Sequence, residues 1–298
     1  MGKIRNSESG LRKKGANFDP KMLKISNFEF RFFCHRLRIE GVTVVQILEL
    51  AVAAMVAGAM NAVAGGGTLV TFPTLILLGT GPKIANATST LALVLGTCGS
   101  MFGYREHLGA VRSWLARFSL VSVLGGLIGA MLLTRTAESA FAKMVPFLIL
   151  FATVLFVAQD AFRRFASKRP VVEEKGVGAI WGAMAFQFAV AVYGGYFGAG
   201  IGILMLASLG FLGMTHIHEM NVLKTVLGSL INAVATVWFI RAGLIDWTKA
   251  GIMTAGALVG YYLAAHFAQR IPQHRVRQLI SAIGFGISGV MFYKQFVK

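Results

Sequence analysis

Acidic residues are scarce in this sequence. Twelve Asp+Glu stand against 29 Lys+Arg, and only 14% of the 298 residues carry charge, where soluble domains carry about 25%. That balance excludes an ordinary soluble domain and gives a net charge of +17. Cysteine is almost absent. Cys34 and Cys98 lie in different phases of the chain, so a disulfide scaffold and a zinc or redox motif are excluded. There is no GxxxxGK[ST], no HExxH, no nucleophile elbow and no carboxylate pair within an apolar run. Neither ATP hydrolysis nor a familiar hydrolase is supported, and no enzyme activity, cofactor or metal is expected. His216 and His218 form a lone His-x-His pair, which is weak as a metal site.

What is present is apolar: 56% of residues are AVILMFWYC. Runs free of charge extend over Leu50–Pro82, Ile84–Tyr104, Phe118–Thr134, Met144–Gln159, Gly176–His218, Thr225–Ile240, Ala250–Gln269 and Gln278–Tyr293. A helix of roughly 20 apolar residues crosses the hydrocarbon core, and only helices or closed barrels satisfy their backbone there. The chain therefore reads as an all-α polytopic membrane protein whose partner is the lipid bilayer. The basic residues sit between apolar blocks, which excludes a nucleic-acid patch. Residues 1–40 read as an uncleaved basic cytoplasmic leader. The alternative is a signal peptide cut near Ala62–Ala64, where small residues gather.

Two tracts, Val42–Gly79 and Val177–Gly213, are too long for one crossing, and each holds a glycine cluster: Gly65-Gly66-Gly67 in the first, Gly194-Gly195 and Gly198-Ala199-Gly200 in the second. Three single-span tracts follow each. Landmarks recur at offsets of 131 to 134 residues: Gly67 and Gly200, Gly79 and Gly213, Gly109 and Gly243, Gly125-x3-Gly129 and Gly256-x3-Gly260. This order predicts about eight transmembrane helices in two tandem four-helix repeats, 41–162 and 177–298, joined by a charged cytoplasmic linker, 163–176. If each long tract crosses once in net effect, 22 Lys/Arg fall inside and 7 outside; if each crosses twice, the partition is 17 against 12. The positive-inside rule favours the first, with parallel repeats and both termini cytoplasmic.

A single crossing by so long a tract needs a broken or re-entrant helix, so Gly65, Gly66, Gly67, Pro73, Gly198 and Gly200 are expected breaks that face each other between the halves. Simple close packing is the competing account of these glycines, and it is the preferred one for the Gly-x3-Gly pairs. Each break precedes a helix start with small polar side chains, Asn86, Ser89 and Thr90 in the first half, Asn221 and Thr225 in the second. Free N–H groups and the dipole at such starts make an anion site without metal or cofactor. Capping or cross-linking accounts for any one of these residues equally well. Lys224 lies just inside its apolar run, where an ammonium costs about 2.5–3.5 kcal/mol unless it snorkels, pairs or faces water. Glu49, the lone carboxylate of the first tract, is read at headgroup level or as a proton-coupling group. Arg105 and Arg241 follow the second helix of each half and read as cytoplasmic anchors.

The Ala64-Gly65-Gly66-Gly67 break with Pro73 and Gly79, the stretch Ala85–Leu93 with Gly96 and Tyr104-Arg105, and Asn221-Val222-Leu223-Lys224-Thr225 with Asn232, Gly243 and Asp246-Trp247 resemble the sulfite exporter TauE/SafE family over roughly residues 42–296. The departure is the second half, which has no proline matching Pro73. The resemblance implies a bacterial inner-membrane permease for sulfite, organosulfonates or related small anions. The rival class is a receptor or assembly factor that does not transport. Substrate identity, direction, coupling ion and oligomeric state are not encoded in any motif.

Overall fold

The computed structural model describes residues 42–63, 66–103, 108–167, 177–211, 214, 216–267 and 273–296. Val45–Lys298 forms one compact unit, to which everything below refers. The leader, Gly65, Gly213, Arg105 and 168–176 lie outside the described residues. Ten α-helices are described: α1 Val44–Val63, α2 Thr68–Leu77, α3 Pro82–Gly103, α4 Leu108–Arg135, α5 Glu138–Ser167, α6 Val177–Tyr196, α7 Ile201–Phe211, α8 Ile217–Arg241, α9 Trp247–Phe267 and α10 Gln273–Phe296. Among the described residues there is no strand ladder. The expected linker cedes its first five positions to α5.

The chain turns its large apolar side chains outward as well as inward. Leu120, Leu124, Ile128 and Leu132 on α4 are exposed at one-turn spacing, as are Phe147, Phe151 and Val154 on α5. A water-soluble surface does not present such stripes, whereas lipid does. Among the described residues, four helices are long and apolar enough to cross alone, at Val44–Ala62, Val111–Arg135, Glu138–Ala158 and Glu219–Arg241.

Small residues decide which helices touch. Gly125 and Gly129 of α4 lie on the backbone of α6: a Cβ on Gly125 would stand 2.9 Å from Phe188 O, and one on Gly129 would collide with Val192 O. Gly256 and Gly260 of α9 lie in the same way on Ala51 O and Met55 O of α1. The packing reading of both Gly-x3-Gly pairs is what the structure shows. In each contact the residue numbers rise together, so α4 runs parallel to α6 and α9 parallel to α1.

Side-chain bonds fix the ends. Lys83 at the start of α3 donates to the carbonyls of Thr134 (2.9 Å) and Thr136 (2.8 Å) at the end of α4. Asp246 N donates to Thr88 Oγ1 (3.1 Å), and Lys249 Nζ donates to Thr80 Oγ1 (2.9 Å), bringing the start of α9 to that same end. The helices α4 and α9, which match each other in the two series, therefore run in opposite directions. Parallel repeats are thus corrected to an inverted arrangement. Gln295 of α10 reaches Lys143 O near the start of α5, so the end of α10 shares this end of the bundle, as does the start of α1. Ser167 and Val177, which flank the linker, stand at the opposite end.

A second correction follows. Tract 44–82 leaves and returns to one end, and tract 177–217 does the same at the other. Neither runs from one end of the bundle to the other, which is the arrangement that the 17 against 12 partition assumes. A linker beside the two termini, and Arg241 on the same side as Arg105, were expected with the single crossing; Arg105, 168–176 and both termini lie outside the described residues. The reason is physical: α2 and α7, about 15 Å long at 1.5 Å per residue, fold back instead of going on. A Cβ on Gly67 would meet Ala57 O of α1 at 2.5 Å.

Candidate functional site

The breaks are backbone features before they are sites. Gly66 (φ 88°), Gly198 (φ 83°) and Gly200 (φ 81°) occupy the left-handed region that L side chains avoid. Asn61 Oδ1 accepts from Gly67 N (3.0 Å), and Asn61 Nδ2 donates to Tyr261 of α9 (2.9 Å), fastening the first turn-back. Tyr193 donates to Ala199 O (2.8 Å) across the second. Pro73 is no break. It lies inside α2, buried, with the helix continuing to Leu77. A proline removes one backbone bond, and here the fully buried neighbours Phe72 and Leu75 hold the turn. The second half makes a fold-back of nearly equal length without any proline, so glycine conformation, not proline, produces the turn.

The two breaks meet on one turn of α5. A Cβ on Gly66 would enter the Phe156 ring, and one on Gly200 would stand 3.5 Å from Leu155 and 3.7 Å from Ala152. The ring of Phe72 on α2 meets that of Phe197 in the second break edge-on at 5.3 Å. Convergence was expected between the halves; α5 of the first half is where it takes place.

The polar residues divide. Asn86 Nδ2 donates to Tyr196 O (3.1 Å), beside the second break, while its buried Oδ1 accepts nothing. Ser89 shares a 2.6 Å hydrogen bond with Thr71 of α2. Thr90 donates to Asn86 O in its own helix (2.8 Å). The start of α3 is not an open anion site: Lys83 N donates to Glu138 Oε1 (3.1 Å), so a carboxylate of the chain already faces that dipole. Asn221, Lys224 and Thr225 are half-buried in the first turns of α8, at the opposite end of the bundle from the start of α3. The structure therefore does not gather Asn86, Ser89 and Thr90 around Lys224. Counted from the two helix starts, Pro82 and Ile217, Lys224 matches Ser89 and not Thr90. Each faces the short helix of its own half, Ser89 against Thr71 and the Lys224 stem against Gly202, whose Cβ would lie 3.2 Å from Lys224 Cδ. Glu49 is exposed in the second turn of α1.

Sequence reading passed over two residues, and named a third, Asn232, only within the family resemblance. Ser229 and Thr236 of α8 are buried with hydroxyls that have no partner. Asn232 is 3.7 Å from where a Gly198 Cβ would stand. Their signal was present as a spacing of one polar residue per turn, from Thr225 through Ser229 and Asn232 to Thr236.

Helical hairpins that turn back at glycine breaks within an otherwise apolar bundle define a class: membrane transporters with discontinuous helices. The family model described as Sulfite exporter TauE/SafE matches residues 50–291, and the chain belongs to that family. A probable membrane transporter protein of Haemophilus influenzae is 28% identical over 244 residues, covering 80% of this chain and 92% of that protein. The probable membrane transporter protein YfcA of Escherichia coli K12 is 25% identical over 250 residues, covering 81% and 86%. The probable membrane transporter protein ORF9 of a Sinorhizobium species is 23% identical over 248 residues, covering 80% and 89%. No solved structure matches the chain.

Proposed function

We propose that this protein is a permease for small anions, with sulfite, organosulfonates and related sulfur oxyanions or carboxylates as the substrate class. The observation that carries the reading is the pair of glycine breaks meeting on one turn of α5 in a chain of the sulfite exporter family. Irregular backbone at membrane depth is tolerated where it is enclosed by protein or lines a polar route. In this reading α3–α5 and α8–α10 cross the bilayer, α1–α2 and α6–α7 enter and return, and the two five-helix series descend from an inverted duplication. The matching helix order and the matched Gly-x3-Gly contacts support that descent.

The bundle end that holds the start of α1 and the end of α10 faces the cytoplasm of a bacterial inner membrane. Support for this comes from the leader, whose ten Lys/Arg raise that end to 17 against 12. Lys224, with Asn221 and Thr225, serves as the charged mouth at the opposite end. An ammonium there offsets the desolvation of an entering anion, and its stem on Gly202 holds it toward the second fold-back. Asn86, Ser89 and Thr90 line the approach from the cytoplasmic end.

The test is a proteoliposome flux screen of the full chain with sulfite, sulfate, thiosulfate and small sulfonates. At least one should move faster than through protein-free vesicles. Lys224→Met should then abolish flux, and Lys224→Arg should retain binding but slow release, because a guanidinium grips oxyanions in two-pronged fashion. A lysine that merely snorkels leaves flux near normal in the methionine variant, and that result removes Lys224 from the site.

A further inference from the structure

The permease reading leaves one set of groups unexplained. Thr225, Ser229, Asn232 and Thr236 follow one another at four, three and four residues along α8, which places them on a single face. Ile231 next to that face packs on Gly126 of α4 and near Gly194 of α6, while Ala233 on its other side packs with Leu91 and Val94 of α3. The polar face therefore opens between α6 and α3, where the second break lies and where Asn232 stands beside Gly198. Across that space, Asn86 of α3 holds the carbonyl of Tyr196 through its amide nitrogen.

Three atoms here are buried and unpartnered: Ser229 Oγ, Thr236 Oγ1 and Asn86 Oδ1, on residues only 4%, 5% and 1% exposed. A buried polar atom without a hydrogen bond is destabilising, and native interiors hold few of them. Three such atoms, on Asn86 beside the break and on the turns of α8 flanking Asn232, indicate a route whose partner comes and goes. Hydroxyls donate to an oxyanion. Asn86 Oδ1 is an amide oxygen and only accepts, and the bond from Nδ2 to Tyr196 O fixes which end of the amide is left unpartnered. A fully deprotonated dianion has nothing to offer that oxygen and is repelled by its lone pairs. A monoanion that keeps one O–H satisfies all three atoms.

We infer that the α8 face Thr225–Ser229–Asn232–Thr236, together with Asn86, is the route of the transported species, and that it selects a monoanionic oxyacid retaining an O–H, of the hydrogensulfite kind, over dianions. The inference rests on the permease reading above.

Purified full-length protein in liposomes separates the two. Three probes are used: sulfite at pH values on both sides of its second ionisation, sulfate as a dianion, and methanesulfonate as a monoanion without O–H. Sulfite flux should fall as pH rises, in step with the hydrogensulfite fraction, and should exceed methanesulfonate and sulfate flux at the acid end. Ser229→Ala and Thr236→Val should each lower sulfite flux roughly tenfold, the worth of a hydrogen bond to an anion. Their thermal stability should be unchanged or slightly raised, since neither hydroxyl has a partner to lose in the resting protein. Wild-type flux with undiminished flux in both variants overturns the route and leaves the permease standing. Sulfite flux that is flat or rising with pH, or matched by methanesulfonate, overturns the choice of monoanion. A wild type that moves none of the three probes fails the permease reading itself.

Discussion

Gly66 and Gly200 share a left-handed backbone but differ in what surrounds them, and alanine at each separates two kinds of cost. At Gly200 the added Cβ meets α5 side chains no closer than 3.5 Å, an ordinary contact, so Gly200→Ala suffers the conformational cost alone. That cost is about 1–2 kcal/mol. At Gly66 the same conformation holds (φ 88°), and the Cβ also lands inside the Phe156 ring, which is fully buried. Forcing a methyl into a packed site adds about 1–3 kcal/mol, so Gly66→Ala should lose about 2–5 kcal/mol. Phe156→Leu in the Gly66→Ala background should recover part of the steric share and none of the conformational share. The measurement is the thermal or denaturant midpoint of detergent-solubilised protein, paired with flux in liposomes. Equal losses at the two glycines, or no coupling between Gly66→Ala and Phe156→Leu in a double-mutant cycle, would refute the placement of the first break against α5.

The bundle geometry makes further outcomes testable. With Cys34 and Cys98 replaced, single cysteines in 168–176 and near Lys298 should react with an impermeant reagent from opposite faces of the membrane; reaction from one face would restore the parallel arrangement. Gly129→Val and Gly260→Val each drive a branched side chain into a neighbouring helix backbone and should cost several kcal/mol or block folded accumulation, read by fluorescence-detected size exclusion. Asp246 caps α9 through Lys249 N (3.1 Å) and pairs with Lys249 Nζ (3.0 Å), so Asp246→Ala should cost about 1 kcal/mol, mostly the cap, because the pair is partly exposed. Gly202→Ala presses a methyl against the Lys224 stem and should weaken anion flux more than stability.

Much of this protein was legible in its residue order. The scarcity of charge and the length of the apolar runs imply membrane helices, because a continuous run of about 20 apolar residues satisfies its backbone in hydrocarbon as a helix. The glycine clusters marked the turn-backs, since only glycine adopts the positive φ that Gly66, Gly198 and Gly200 show. Pro73 misled, because a proline can sit within a helix whose neighbours are tightly packed.

What only the tertiary structure decided is direction. Sequence offsets are blind to whether a helix points up or down, and the charge count favoured the single crossing of each long tract, 22 against 7 over 17 against 12. Direction came from contacts between residues more than a hundred positions apart: Lys249 on Thr80, Asp246 on Thr88, Gly260 on Met55. The same inversion moved Asn86 and Lys224 to opposite ends of the bundle. It also brought Asn232 of α8 beside the break that follows α6, a relation that no local pattern carries, because the partner surfaces are brought together only by folding.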